Sequence, residues 1–116
     1  MISFQLTKNE LSLLDGVIAV PVQAFGLEKL LSTTNLKKER IEEVAGLIRT
    51  YFDHLQREEI EVTMQRNDVE DLKNIFTVAC EIVDPIEMPT ITGYQWEDSQ
   101  KLIKKLAEAL ETDGSV

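Results

Sequence analysis

A strand-to-helix pattern occurs twice in this chain, at positions 58 residues apart. Apolar and polar residues alternate between Ile2 and Leu6, and they alternate again between Ile60 and Met64. A period of two residues is typical of a β-strand that buries one face. Each alternating segment is followed closely by apolar residues at helical spacing. The sequence therefore predicts two strand–helix units of similar build.

The start of the first helix is marked by a capping box. Thr7 stands at the N-cap position and Glu10 three residues later, so that each side chain can bind the other's backbone N–H. Related cap patterns occur at Asn67–Glu70 and Thr92–Gln95. Each of these three capping patterns predicts that a helix begins there.

The similarity between the two halves is continuous and has no gap. A shift of 58 residues, half the chain length, aligns 2–20 with 60–78, and four of the nineteen aligned positions are identical. Fixed-period similarity is typical of a duplicated structural unit. We expect a (βαα)₂-like pseudo-repeat with half-repeats 1–58 and 59–116, whose two strands pair across a pseudo-twofold axis. Generic strand-and-helix patterning is the alternative explanation.

The predicted fold class is α+β and mainly helical, with a small two-stranded sheet packed on about four helices. At 116 residues the chain fits a single domain, 1–116. The helix pattern is strongest over 36–56, Pro21 is expected to end or kink the first helix, and 32–35 reads as a loop. A final helix is predicted from Trp96 to Leu110. An all-α bundle is the alternative.

The negative charge of the chain is concentrated in one segment. The formal net charge is −9, and the stretch from Glu58 to Asp98 holds eleven acids against Arg66 and Lys73. Such a field excludes nucleic acids and anionic membranes as favourable partners and favours a protein with a basic surface. The alternative reading is a solvated acidic face that only keeps the protein in solution.

The sequence carries no recognisable targeting or membrane signal. The longest apolar run, 17–22, contains Pro21 and is too short to span a bilayer, and the N-terminus lacks the features of a signal peptide. These features predict a cytoplasmic protein.

The residue types that support most catalysis are scarce. The single histidine is His54, with Glu58 one turn later if the helix continues, and this pair forms the weak candidate for a metal site. The single cysteine, Cys80, lies in an apolar run that predicts a core position. No phosphate-binding loop or nucleophile elbow is present. We therefore expect no catalytic residue, no metal and no cofactor.

These features favour a non-enzymatic protein–protein interaction module that acts through an acidic surface. The candidate partner-binding residues are Glu58, Glu59, Glu61, Glu70, Asp71 and Trp96. Trp96 has two interpretations, as a binding hot spot or as an apolar staple at the start of the last helix. The alternatives are an inhibitor or immunity-type protein that masks a basic active site, and a small metal-dependent enzyme that uses His54 and nearby carboxylates.

A homodimer is a further expectation, formed through a strand edge or an apolar helix face. The helix predicted over 36–56 begins with three cations, Lys37, Lys38 and Arg40. Positive charges at the start of a helix oppose its dipole. The simpler interpretation of these cations is a solvated face, and the alternative is that in a dimer they complement the acidic segment of another copy.

Overall fold

The computed structural model describes the backbone of residues 1–23, 27–82 and 95–114, with side chains over 1–18, 28–81 and 95–111. Within these ranges the elements are β1 (Ile2–Thr7), α1 (Lys8–Gln23), α2 (Leu27–Thr34), α3 (Lys38–Asp53), β2 (Glu59–Met64), α4 (Arg66–Ile82) and α5 (Trp96–Gly114). The prediction of a mainly helical α+β fold is confirmed. The all-α alternative is wrong, because the two strands form a sheet.

The sheet consists of β1 and β2 in antiparallel pairing. Its register runs from Ile2 opposite Met64 to Thr7 opposite Glu59, with Phe4 opposite Val62 near the centre. One face carries the apolar residues of both strands and packs on the core. The other face carries polar residues. A two-stranded sheet is marginal by itself, so helix packing on its apolar face supplies its stability.

The core lies between the sheet and the helices. Helix α4 contacts α1, α2, α3 and α5, and α1 also packs against α3. Amphipathic stripes produce this arrangement, as in α3, where Ile41, Val44 and Ile48 are buried at helical spacing. The largest side chain among the fully buried residues is Phe76 in α4.

The predicted capping box at the start of α1 is confirmed. The Thr7 N–H donates to Glu10 Oε1 at 2.9 Å, and the Glu10 N–H donates to Thr7 Oγ1 at 3.1 Å. The flanking residues Leu6 and Leu11 are fully buried. The chain therefore changes from strand to helix within one residue, with two backbone donors of the first turn satisfied.

Two predicted breaks lie within helices. α1 continues past Pro21 to Gln23, so the helix does not end at the proline, which lacks only its own N–H donor. Ser32 and Thr34 belong to α2 rather than to a loop. Their hydroxyls donate to backbone carbonyls three and four residues earlier, which satisfies these polar groups inside the helix. The chain leaves α2 at Asn35, which adopts a left-handed conformation with φ 59°.

Other helix boundaries also differ from the sequence pattern. α3 is shorter than 36–56, since Lys37 forms its N-cap and His54 its C-cap. α4 begins at Arg66, so Asn67 lies in the first turn instead of capping it. Thr92 of the last predicted cap lies outside the described residues. No helix of the described ranges has the length and apolar character that crossing a membrane requires.

Candidate interaction surface

Three acidic residues lie on and beside β2. Glu58 precedes the strand, and Glu59 and Glu61 project from its polar face, since the intervening Ile60 and the following Val62 pack on the core. All three acids are exposed, and none forms an ion pair with another described residue. We call this group the acidic β2 surface.

The neighbouring strand does not neutralise the acidic β2 surface. Gln5 lies opposite Glu61 and Thr7 lies opposite Glu59, so the cross-strand positions hold neutral side chains. The cations that adjoin Glu58 in the chain and in the ladder, Arg57 and Lys8, form no ion pair with these carboxylates. The surface is therefore a local concentration of acids that have no ion-pair partner among the described residues.

The other two predicted acids have a different environment. Glu70 in α4 forms an ion pair with Arg66 one turn earlier, at 3.1 Å. Asp71 in the same helix binds Arg40 of α3, Nε to Oδ2, at 2.7 Å. The structure thus divides the acidic segment into an unpaired set on β2 and a paired set in α4.

Arg40 is the centre of the paired set. Besides Asp71, its guanidinium donates to Asp68 Oδ1 at 2.6 Å and to Glu43 Oε1 at 2.8 Å, and its side chain is only 20% exposed. The hydrogen bond to Asp68 is the largest cause that raises the pKa of Arg40 above its ordinary value, and the hydrogen bond to Asp71 is the next. The expectation that Arg40 would complement another copy is replaced by a contact within the chain, because α3 packs beside the first turn of α4.

Trp96 lies on a different element from the acidic β2 surface. It is the first residue of α5, is partly buried and packs against the core. Its carbonyl oxygen accepts a hydrogen bond from the Ser99 hydroxyl at 2.6 Å, and Ser99 is fully buried. The side chain of Trp96 thus contributes to the core at the start of α5, whereas Ile91, its expected partner in the staple, lies outside the described residues.

His54 and Glu58 do not share a helix face. α3 ends at Asp53, and His54 is its C-cap, with its Nδ1 hydrogen-bonded to the Thr50 carbonyl oxygen at 2.8 Å. The one-turn spacing expected from a longer helix is therefore absent. Among the described residues, no three His, Cys, Asp or Glu side chains are grouped to hold a metal ion.

Cys80 is a core residue, as predicted. It is 1% exposed, and burial raises the pKa of its thiol to about 12, while a hydrogen bond with Ser99 acts in the opposite direction. A thiol with a raised pKa is protonated at neutral pH and is a poor nucleophile.

Tyr51 has a role that its sequence position does not reveal. Its hydroxyl donates to the Thr63 carbonyl oxygen at 3.0 Å and accepts from the Thr63 N–H at 3.3 Å. In the sequence, Tyr51 is only one member of the apolar stripe of α3. The feature that could have indicated this contact is the short connection between α3 and β2, residues 54–58. It makes the chain fold back beside the end of the helix.

A small open cleft of about 190 Å³ lies between α1 and α5. Its carboxylates already have partners in the chain. Glu10 binds Lys105 at 2.8 Å in addition to the Thr7 N–H, and Asp98 accepts from the Gln95 N–H at 3.1 Å. Helix capping and inter-helix pairing therefore account for both carboxylates of the cleft.

Comparison with known proteins returns no matching family, no similar curated protein and no similar solved structure. The function of the chain is therefore inferred from its own surface and chemistry.

Proposed function

We propose that this protein is a non-enzymatic interaction module whose acidic β2 surface binds a basic region of another protein in the cytoplasm. The observation that carries the proposal is the contrast between two sets of acids. Asp68, Glu70 and Asp71 have arginine partners, whereas the three glutamates of the acidic β2 surface are exposed and form no ion pair with a described residue.

Electrostatics supports a basic protein as the partner. Carboxylates that repel each other on one short strand gain favourable energy when cations approach them. The net charge of −9 extends this field beyond the contact and speeds encounter with cationic surfaces. In the narrower form of the proposal, the partner is an enzyme with a basic active site, which this surface covers as an inhibitor or immunity-type protein would.

The test compares two triple variants with the same net charge. Glu58→Gln, Glu59→Gln and Glu61→Gln remove the acidic β2 surface, and Glu28→Gln, Glu39→Gln and Glu97→Gln remove exposed acids elsewhere. We expect basic proteins from the native host to be retained by immobilised wild type and by the second variant, and lost from the first. Retention should also fall as salt rises from about 0.05 to 0.5 M, because salt screens exposed charges. Equal retention by both variants would refute the proposal.

We also propose that the domain consists of two structurally equivalent halves. The starts of α1 and α4, Lys8 and Arg66, are 58 residues apart, and so are the starts of α3 and α5, Lys38 and Trp96. The strand pairing has the same symmetry, since Phe4 lies opposite Val62, its equivalent under the same shift. A twofold axis relating the halves would pass through this pair.

Ion pairs between the halves involve equivalent acids, but their cations stand at positions that the shift does not align. Glu10 and Asp68 are equivalent positions at the starts of α1 and α4. Glu10 binds Lys105 of α5, and Asp68 binds Arg40 of α3. In each case an acid near the start of one half's first helix accepts a hydrogen bond from the last helix of the other half.

A circular permutant tests this equivalence. Joining Val116 directly to Met1 and opening the chain between Gln56 and Arg57 makes the new junction equivalent to the natural junction of Glu58 and Glu59. We expect cooperative unfolding with a loss of less than about 2 kcal/mol, since exposed connections tolerate new termini. The matched control carries a long glycine–serine linker at the junction. If the linked permutant folds and the directly joined one does not, the halves are not equivalent.

A further inference from the structure

Hydrogen bonds determine which backbone groups of β2 face away from β1. The Lys8 N–H donates to the Glu58 carbonyl oxygen at 2.8 Å, which extends the ladder by one pair. Bonded and unbonded pairs alternate in an antiparallel sheet, so every second residue counted from Glu58 points its N–H and C=O towards β1. The backbone groups of the residues between them, Glu59, Glu61 and Thr63, therefore point to the outer edge of β2.

Only part of this outer edge is covered by the described chain. Both Thr63 groups bind the Tyr51 hydroxyl. The N–H and C=O groups of Glu59 and Glu61 have no hydrogen-bond partner among the described residues. An exposed strand edge with unpaired groups is a template for another strand. The open stretch is bounded at one end by Tyr51.

We infer that this edge binds an extended basic segment of the partner, which adds to the sheet as a third strand antiparallel to β2. The inference rests on the proposed function and specifies how the acidic β2 surface recognises its partner. Strand addition supplies affinity through the backbone, and side chains at alternate positions supply specificity.

The geometry determines which residues the segment needs. Residues paired with Glu59 and Glu61 would project onto the same polar face as these carboxylates, so lysine or arginine there forms cross-strand ion pairs. The residue between the two cations would lie on the face of Ile60, which is partly buried against the core. An apolar side chain fits that position. The expected segment is therefore cation, apolar, cation.

A second copy of this chain is a less favourable occupant of the edge. Antiparallel pairing of two β2 edges would place Glu59 of one copy opposite Glu61 of the other, and like charges in such positions are destabilising. Among the described residues, Met1 is the one large hydrophobic side chain that is exposed, so the described surface adds little apolar contact to such a dimer. The charge of the edge therefore selects a cationic partner.

The test uses an eight-residue peptide of alternating lysine and valine, acetylated and amidated. Two isomers of it are N-methylated, one at every lysine and the other at every valine. The isomers have the same charge and composition but block opposite edges of the peptide strand. In antiparallel addition the lysine amides face β2, so the lysine isomer should bind at least about tenfold more weakly, because several backbone hydrogen bonds are lost. Binding is followed by nuclear magnetic resonance at low salt, through shifts of the Glu59 and Glu61 amides.

Each outcome separates strand addition from simple charge attraction. A weaker lysine isomer supports the inference, and a weaker valine isomer overturns the antiparallel orientation. Equal affinities that the Glu58→Gln, Glu59→Gln, Glu61→Gln variant abolishes would overturn strand addition and leave the proposed function standing. If the parent peptide does not bind at millimolar concentration, the inference is wrong, and the retention experiment on host proteins decides the proposed function separately.

Discussion

Phe76→Ala is expected to lower the free energy of unfolding by about 3–5 kcal/mol. Phe76 is fully buried in α4, the helix that contacts all four other described helices. Alanine in its place removes apolar burial and leaves a cavity that the surrounding helices can fill only in part. Since domains of this kind are stable by about 5–15 kcal/mol, the variant should be close to the limit of folding. Urea denaturation followed by circular dichroism measures the change.

Phe52→Ala is the matched control, because it makes the same chemical change at a partly buried position of α3. Its expected cost is less than half that of Phe76→Ala. Phe76→Leu, which keeps most of the apolar volume, should cost about 1–1.5 kcal/mol. If both alanine variants lose the same free energy, α4 is not the centre of the core.

The features that the sequence predicts well have signals a few residues long. Alternation over Ile2–Leu6 and Ile60–Met64 identifies both strands, and the capping box at Thr7 marks the change to helix. Each signal is local because the pleat or the first helical turn involves residues within four positions of each other. The buried position of Cys80 follows similarly from its apolar neighbours.

Helix boundaries are less predictable because tertiary contacts influence them. Ser32 and Thr34 have loop-forming side chains, but the same hydroxyls can bind helical carbonyls once α2 packs on α4. The apolar pattern over 36–56 extends beyond α3 at both ends. Its end at Asp53 separates His54 from Glu58 and removes the helical pairing on which the metal candidate rested.

The division of the acidic segment requires information that composition does not hold. Glu59 and Asp71 look alike in the sequence, as acids in one charged stretch. Only the packing of α3 beside α4 brings Arg40 to Asp71, which is 31 residues away. In the same way, Tyr51 reaches Thr63 because α3 ends beside the edge of β2. Contacts at such separations follow from topology and not from local pattern.

Arg40→Ala is expected to lower the free energy of unfolding by about 2–4 kcal/mol. The guanidinium lies between Asp68 and Asp71, whose side chains are 19% and 22% exposed. Without Arg40, two poorly hydrated carboxylates would face each other with no cation between them. The cost therefore arises mainly from the acids left behind and less from the value of the ion pairs themselves. Thermal and urea unfolding at neutral pH and moderate salt measure it.

Lys38→Ala provides the control on the same helix. The Lys38–Glu42 pair is 57% exposed on both sides, so its removal should change stability by less than about 0.5 kcal/mol. Arg40→Lys should recover only part of the loss, because an ammonium cannot donate in the forked geometry that reaches both aspartates. Combining Arg40→Met with Asp68→Asn and Asp71→Asn should restore most of the stability, since no buried charge then lacks a partner. If that combination is as unstable as Arg40→Ala, the orphaned carboxylates are not the cause, and the packing of the arginine stem between α3 and α4 accounts for the loss.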